Sequence, residues 1–254
     1  MISGSSPSIF ILMESWRDHG IVLSVRGHGE SGAVVSLLTE NHGRHAGYVR
    51  GAGGSRLRGV VEPGNLVSVT WSSRMSDQLG AFALEPERAI TGPLLGDPLK
   101  LAALVSACSL TDAALPEREG HPGLFHGLLT LLDMLDGAAW GPAYIMWEIA
   151  FMGELGFGLD LTRCAGGGDP ATIAYVSPKT GRAVSIEQGE PFKDKLLPLP
   201  DFLKPGGSSI DEAEILKGLR MNAHFLEHWV FVHGKAMPEA RTRFQNRVEG
   251  VPGR

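Results

Sequence analysis

Between residues 20 and 58, short apolar runs alternate with glycine-rich turns, and that punctuation restricts the fold more than any other feature. Ile21, Leu23 and Val25 alternate with Val22 and Ser24, a period of two that predicts a strand. Residues 26–31 form a turn. Residues 33–39, rich in Val and Leu, predict a second strand. Asn41, His42 and Gly43 make a hairpin-like turn, since Asn and Gly adopt positive φ at little cost. Residues 45–50 predict a third strand. The run 51–55 is too rich in glycine for regular structure and reads as a loop ending in Arg56, Leu57 and Arg58. Val67, Val69 and Trp71 alternate with polar residues in a fourth strand, and Phe82 and Leu84 mark a fifth. Trp71 reads as core, whereas Trp16 precedes the first predicted strand and has no assigned place.

Five short strands before residue 92 fit a small closed barrel of the oligonucleotide-binding (OB) type. At Asp97-Pro98 the pattern turns helical, with a favoured N-cap followed by a favoured first helical residue. Pro122 and Pro142 open two further helices, with Phe125, Leu128 and Leu132 on one face and Tyr144, Trp147 and Phe151 on another. Residues 161–208 are rich in Gly, Pro and polar side chains, with strand-like pieces at 173–176 and 183–185. They read as a small irregular insertion that buries Tyr175, Val176, Phe192 and Leu199. Helices resume at Asp211, and Pro238 starts the last one. The expected fold class is α+β and multidomain. Its predicted parts are a barrel at 14–92, a helical domain at 93–160 and 209–247, and the insertion between the two helical parts. Residues 1–13 are expected to be a disordered extension, with Met13 an alternative start, and residues 248–254 a tail.

Several function classes are excluded by composition and motif. The 254 residues carry a formal charge of −5, so the chain is not coated in positive charge, although phosphate binding depends on local clustering. Two cysteines, Cys108 and Cys164, fit a reducing cytoplasm rather than a disulfide framework. No run approaches the roughly 20 apolar residues that span a bilayer. Residues 51–55 lack the Gly-Lys-Ser/Thr of a phosphate-binding loop, and His28-Gly29-Glu30 has no downstream cysteine pair for a zinc deaminase.

Beyond Trp16 the chain resembles the bacterial recombination mediator family RecO. The matching features are residues 18–23, Gly29-Glu30-Ser31, Leu37-Leu38-Thr39 with Gly43, Arg50-Gly51-Ala52, Pro63-Gly64, residues 155–161 leading to Cys164, and residues 175–181. The resemblance implies an N-terminal OB-fold barrel, a helical C-terminal body and a zinc-ribbon-like insertion. It further implies binding to single- and double-stranded DNA, strand annealing, and partnership with RecR and the acidic tail of single-stranded-DNA-binding protein. Together these help load the recombinase on gapped DNA, in a cytoplasmic, nucleoid-associated protein with no membrane partner. Some members bind zinc through four cysteines in the insertion. Here Cys164 is the single cysteine there, and one thiolate cannot close a tetrahedral site, so a degenerate insertion without zinc or other cofactor is expected.

The candidate DNA-binding residues are Arg26, Arg44, Tyr48, Arg50, Arg56 and Arg58, with His28 on the turn beside Arg26. Guanidinium groups would pair with phosphates while a base stacks on Tyr48. Glu30, Glu40 and Glu62 interleave with these arginines, which is also the pattern of an ordinary solvated surface, and Tyr48 could equally pack against the body. Two other readings stay open. One is a protein-interaction adaptor whose barrel never meets DNA. The other is a zinc hydrolase built on His224, Glu227 and His228, which match H-x-x-E-H but need a further carboxylate ligand downstream. Lys217, Arg220 and Lys235 are candidates to steer an acidic partner peptide onto the bundle.

Overall fold

The computed structural model describes residues 14–75, 77–232 and 234–250. The extension at 1–13, the alternative start at Met13 and the last four residues of the tail lie outside the described residues. Strands β1 (Glu14–His28), β2 (Gly32–Thr39), β3 (Gly43–Val49), β4 (Leu66–Ser73) and β5 (Ala81–Arg88) close into a barrel in the order β1-β2-β3-β5-β4. All neighbours are antiparallel except β3 and β5, which meet in parallel at Tyr48 and Ala81. Val22, Val35, Leu37, Val67, Val69, Trp71 and Phe82 fill the interior.

Strand β1 is 15 residues long and therefore includes Trp16, which the apolar pattern alone left unplaced. It serves two cores by means of a bulge. Its register against β2 skips at Leu23, between the pairs Val22↔Leu37 and Ser24↔Ser36. The extra residue turns the strand locally. Val22 stays in the barrel core, while Ile21 and Leu23 join the core of the helical body. The glycine-rich segment after β3 also departs from expectation, because Ser55–Arg58 winds into a short helix, α1.

A short helix, α2 (Thr91–Leu94), leads out of the barrel. Helix α3 (Pro98–Ala114) starts where the cap predicts, with Asp97 accepting from the amides of Leu99 and Lys100 at 3.0 and 3.2 Å. Helices α4 (Pro122–Met134) and α5 (Trp140–Glu154) complete the first half of the body, α5 beginning two residues before Pro142. In the insertion, β6 (Ile173–Val176) and β7 (Ala183–Ser185) coincide with the predicted pieces and join β8 (Leu197–Pro198) in a three-stranded sheet, with a short helix α6 (Ile186–Gly189). Val176 and Leu199 are buried there, but Phe192 is 58% exposed, contrary to expectation.

Helix α7 (Glu212–Phe225) passes directly into one π-helical turn at Leu226–Val230, and α8 (Glu239–Val248) packs on α3. At the centre of the body Arg241 and Glu148 are fully buried and paired. The Leu219 carbonyl accepts from Arg241 Nη2 at 2.8 Å, and Asn222 Nδ2 donates to Glu148 at 3.1 Å. A buried charge pair of this kind is tolerated because its remaining hydrogen-bonding capacity is largely filled.

Candidate nucleic-acid interface

Residues directly opposite in an antiparallel pair project to the same face. On the outside of β1, β2 and β3 this gives successive rows: Leu38 with Arg44, then Ser24, Ser36 and Ala46, then Arg26, Val34 and Tyr48. The body occupies the first two. Asp112 of α3 accepts from Ser24 Oγ at 2.7 Å, Ser36 Oγ at 2.6 Å and Arg44 Nη1 at 3.2 Å. Arg44 Nε also donates to the Leu115 carbonyl at 2.8 Å, and its guanidinium lies 3.5 Å from Glu117. Arg44 therefore belongs to the seam between barrel and body. The sequence reading placed it among the phosphate ligands because its carboxylate partner stands far away in the chain.

The third row is not covered in this way. Arg26 is exposed, and Tyr48 is partly so. The Tyr48 ring lies across Gly32, where an added Cβ would stand 2.1 Å from the phenol oxygen, so only glycine fits beneath it. His28 meets the ring edge-on at 6.0 Å. Arg50, Arg56 and Arg58 are exposed and belong to the same end of the barrel, because the Gly53 amide donates to the Ser31 carbonyl at 3.3 Å and ties their loop to the β1–β2 turn. Arg58 lines a cavity of 360 Å³ with Val25, Ala33, Ala52 and Val61.

Residues 14–92 contain eight arginines and eight carboxylates, so the distribution decides the local field, not the total. Asp18 faces His42 at 2.7 Å, Glu87 faces His19 at 2.7 Å, and Glu40 faces His126 of α4 at 3.3 Å. Among the described residues Arg26, Arg50, Arg56 and Arg58 make no ion pair and no side-chain hydrogen bond, with only Glu30 and Glu62 exposed on the neighbouring turns.

The opposite mouth of the barrel is aromatic, and the sequence reading missed it. Trp16, Asn41, His42, His45, Trp71 and Arg118 line a cavity of 620 Å³. Trp16 is stacked between His42, at 4.1 Å, and Trp71, at 5.7 Å. His45 is 4% exposed, and neither ring nitrogen has a hydrogen-bond partner among the described residues. Burial first, then the positive charges of Arg118 and His42, push its pKa down to about 4. Burial alone would raise the pKa of Asp18, but donation from His42, Asn41 and the His19 amide outweighs it and holds this carboxyl below its usual range. The signal in the sequence was the inward parity of Gly43, His45 and Gly47 on β3, a polar ring where an apolar one is expected.

A third concavity, of 440 Å³, lies in the body between β8 and α7, walled by Leu197, Pro198, Leu216 and Met221 with Lys217 and Arg220 on its rim. Lys235 does not line it. The H-x-x-E-H residues do not assemble a metal centre. His224 and His228 stack at 4.2 Å, His224 Nε2 lies 3.3 Å from the Pro178 carbonyl, and no group of three or more His, Cys, Asp or Glu among the described residues could hold a metal ion. Cys164 is cradled by donors instead. Burial raises its pKa, yet the Ser185 hydroxyl and the amides of Ser185, Gly166 and Gly168 bring it down to about 7. No helix among the described residues is long and apolar enough to cross a membrane.

Comparison with known proteins agrees with this architecture. The family described as Recombination protein O N terminal matches residues 13–85, and Recombination protein O C terminal matches residues 95–236. The chain is 52% identical to the DNA repair protein RecO of Rhodospirillum centenum over 91% of its own length and 94% of that protein. It is 46% identical to the RecO of Cereibacter sphaeroides strain KD131, over 91% and 97% of the two chains. For the RecO of Rhodospirillum rubrum the identity is 44%, over 93% and 97%. These matches span barrel and body alike, and they set aside the zinc hydrolase, because the chain belongs to the RecO family of DNA repair and recombination proteins.

Proposed function

We propose that this protein is a non-enzymatic recombination mediator that binds DNA along the open row of its barrel. Arg26 and Tyr48 contact the strand on the sheet, and Arg50, Arg56 and Arg58 hold phosphates at the adjoining loops. The observation that carries this reading is the distribution of charge. Among the described residues four arginines without a carboxylate partner gather at this end around an aromatic ring, the pairing that single-strand binders use, whereas the other unpaired barrel arginines, Arg17 and Arg74, stand apart near the start of β1 and the end of β4. Annealing follows if two strands are neutralised together, with no covalent step. The finer assignments, namely RecR and the acidic tail of single-stranded-DNA-binding protein as partners, draw on the apolar groove of the body, where Lys217 and Arg220 are paired with Glu214 and Glu249, carboxylates that an acidic peptide would have to displace.

The test is a fluorescence-anisotropy titration of labelled single-stranded oligonucleotide over a range of salt concentrations. The double reversal Arg50→Glu, Arg56→Glu is expected to weaken binding at least about tenfold for all sequences. It is also expected to reduce the slope of log K against log salt by about 1.4, from two lost single-strand phosphate contacts. Unchanged affinity at low salt overturns the reading and leaves a protein-interaction adaptor.

A further inference from the structure

The aromatic mouth contains a buried polar side chain without a hydrogen-bond partner among the described residues. His45 is buried on the inward face of β3, flanked on that face by Gly43 and Gly47, and boxed by Trp16 and Trp71 with ring centroids at 5.1 Å. Its two nitrogens have no partner among the described residues, yet it lines an open cavity. Arg118, on the same cavity, is the only non-glycine among the described residues with positive φ, at 65°. Its amide donates to the Arg44 carbonyl at 2.8 Å and its Nη2 to the Gln78 carbonyl at 2.7 Å, so two segments of the barrel hold it in place. Uncommon backbone geometry maintained by several contacts is a feature of binding sites.

We propose that this mouth receives a single unstacked nucleobase of a bound DNA strand, with a His45 ring nitrogen hydrogen-bonding the base edge, the rim of the Trp16–Trp71 stack beside it, and Arg118 at the phosphate. The chemistry selects this class of ligand. A neutral imidazole has one donor and one acceptor nitrogen and can exchange them by tautomerism, so the nitrogen facing the cavity can meet either an acceptor or a donor on a base edge. With a pKa near 4 it stays neutral at physiological pH and gives a buried anion no charge to pair with. Glu14, at the same cavity, further opposes an anion in the interior. A planar, uncharged heterocycle suits the depth, and its phosphate suits the guanidinium. The 620 Å³ lies within the roughly 300–1,000 Å³ of small-ligand sites. The class of occupant rests on the DNA-binding reading, but the site lies away from the arginine loops and the two can fail separately.

The test uses the full chain and two probes: 2-aminopurine 5′-monophosphate, too small to bridge the loops, and an oligonucleotide carrying one 2-aminopurine. Base emission should be quenched in both. In His45→Phe, which fills the ring position without its nitrogens, nucleotide affinity should fall at least about tenfold while oligonucleotide affinity stays within about threefold. Arg118→Gly suits the positive φ and removes the guanidinium. It should weaken the nucleotide but not the corresponding nucleoside, and it serves as the arbiter should His45→Phe fail to fold. Arg50→Glu, Arg56→Glu should lose the oligonucleotide and keep the nucleotide. Absence of nucleotide quenching while the oligonucleotide still binds, equal quenching in the His45 variant, or displacement of the nucleotide by an acidic peptide would each overturn the proposal.

Discussion

The two ends of the barrel are made from the same five strands and are chemically opposed. At the outer end the turns are glycine-rich, and Arg26, Arg50, Arg56 and Arg58 face solvent with no ion pair among the described residues, although Glu30 and Glu62 are exposed on the neighbouring turns. At the inner end the body closes in. The 117–120 segment lies against the β2–β3 hairpin, Arg44 is locked to Asp112, and histidines and tryptophans stack into a mouth. An arginine is thus structural or available according to whether the helical body brings a carboxylate to it. The same residue type on the same sheet has two roles.

The sharpest way to probe that contrast is a pair of glycines with nearly the same backbone. Gly43 and Gly51 have φ of 67° and 73°. A Cβ on Gly43 would stand 1.8 Å from the Glu119 carbonyl oxygen, whereas one on Gly51 meets nothing within 4 Å. Gly43→Ala should therefore cost about 3–5 kcal/mol, left-handed strain plus displacement of the body, and Gly51→Ala only about 1–2 kcal/mol. Urea denaturation measures both. Equal losses would mean that the inner end is no more tightly packed than the outer.

Acid should act at the inner end next. An unfolded histidine titrates near 6.5 and folded His45 near 4, so between these values the unfolded chain binds the extra proton. Stability should be complete above about pH 6.5, decline as pH falls toward 4 by at most about 3–4 kcal/mol, and gain no further His45 dependence below that. Asp18, whose folded pKa is lowered, adds a separate loss only as pH falls below its unfolded value of 3.8. His45→Phe should abolish the first window and keep the second. A variant with the same decline between pH 6.5 and 4 would show that another group is responsible.

Most of the fold was legible because its signals are local. Asp97 and Pro98 placed the start of α3 and the short alternations placed β6 and β7, since capping and period-two burial need only neighbouring residues. The candidate site was legible only as a grouping of residues. Arg26, Tyr48, Arg50, Arg56 and Arg58 lie at one end, but nothing near Arg44 signals Asp112, 68 residues later. Trp16 was unplaceable because Arg17, Asp18 and His19 hide the strand. Their polar groups are exposed or taken up by the β2–β3 turn, and burial of Asp18 depends on His42 and Asn41 from another hairpin. Charge pairing across a seam is tertiary information, and it decides which arginines remain free.

That decision can be tested at the seam itself. Asp112→Ala removes the acceptor for two hydroxyls and one guanidinium and leaves Arg44 with Glu117 at 3.5 Å and the Leu115 carbonyl. Charge-assisted bonds to a partly buried carboxylate predict a loss of about 2 kcal/mol in denaturant unfolding. Arg44→Ala should destabilise to a similar or smaller extent, since it leaves Asp112 its two hydroxyl donors. Its effect on single-strand DNA affinity should be within about twofold, with the salt slope unchanged, in contrast to reversal of Arg50 and Arg56. If Arg44→Ala instead weakened DNA binding and flattened the salt slope like a loop arginine, the seam pair would be open in the DNA-bound protein. The phosphate path would then run past Tyr48 along the first two rows of the sheet, between barrel and body, and the division of the barrel into a committed and an available end would fail.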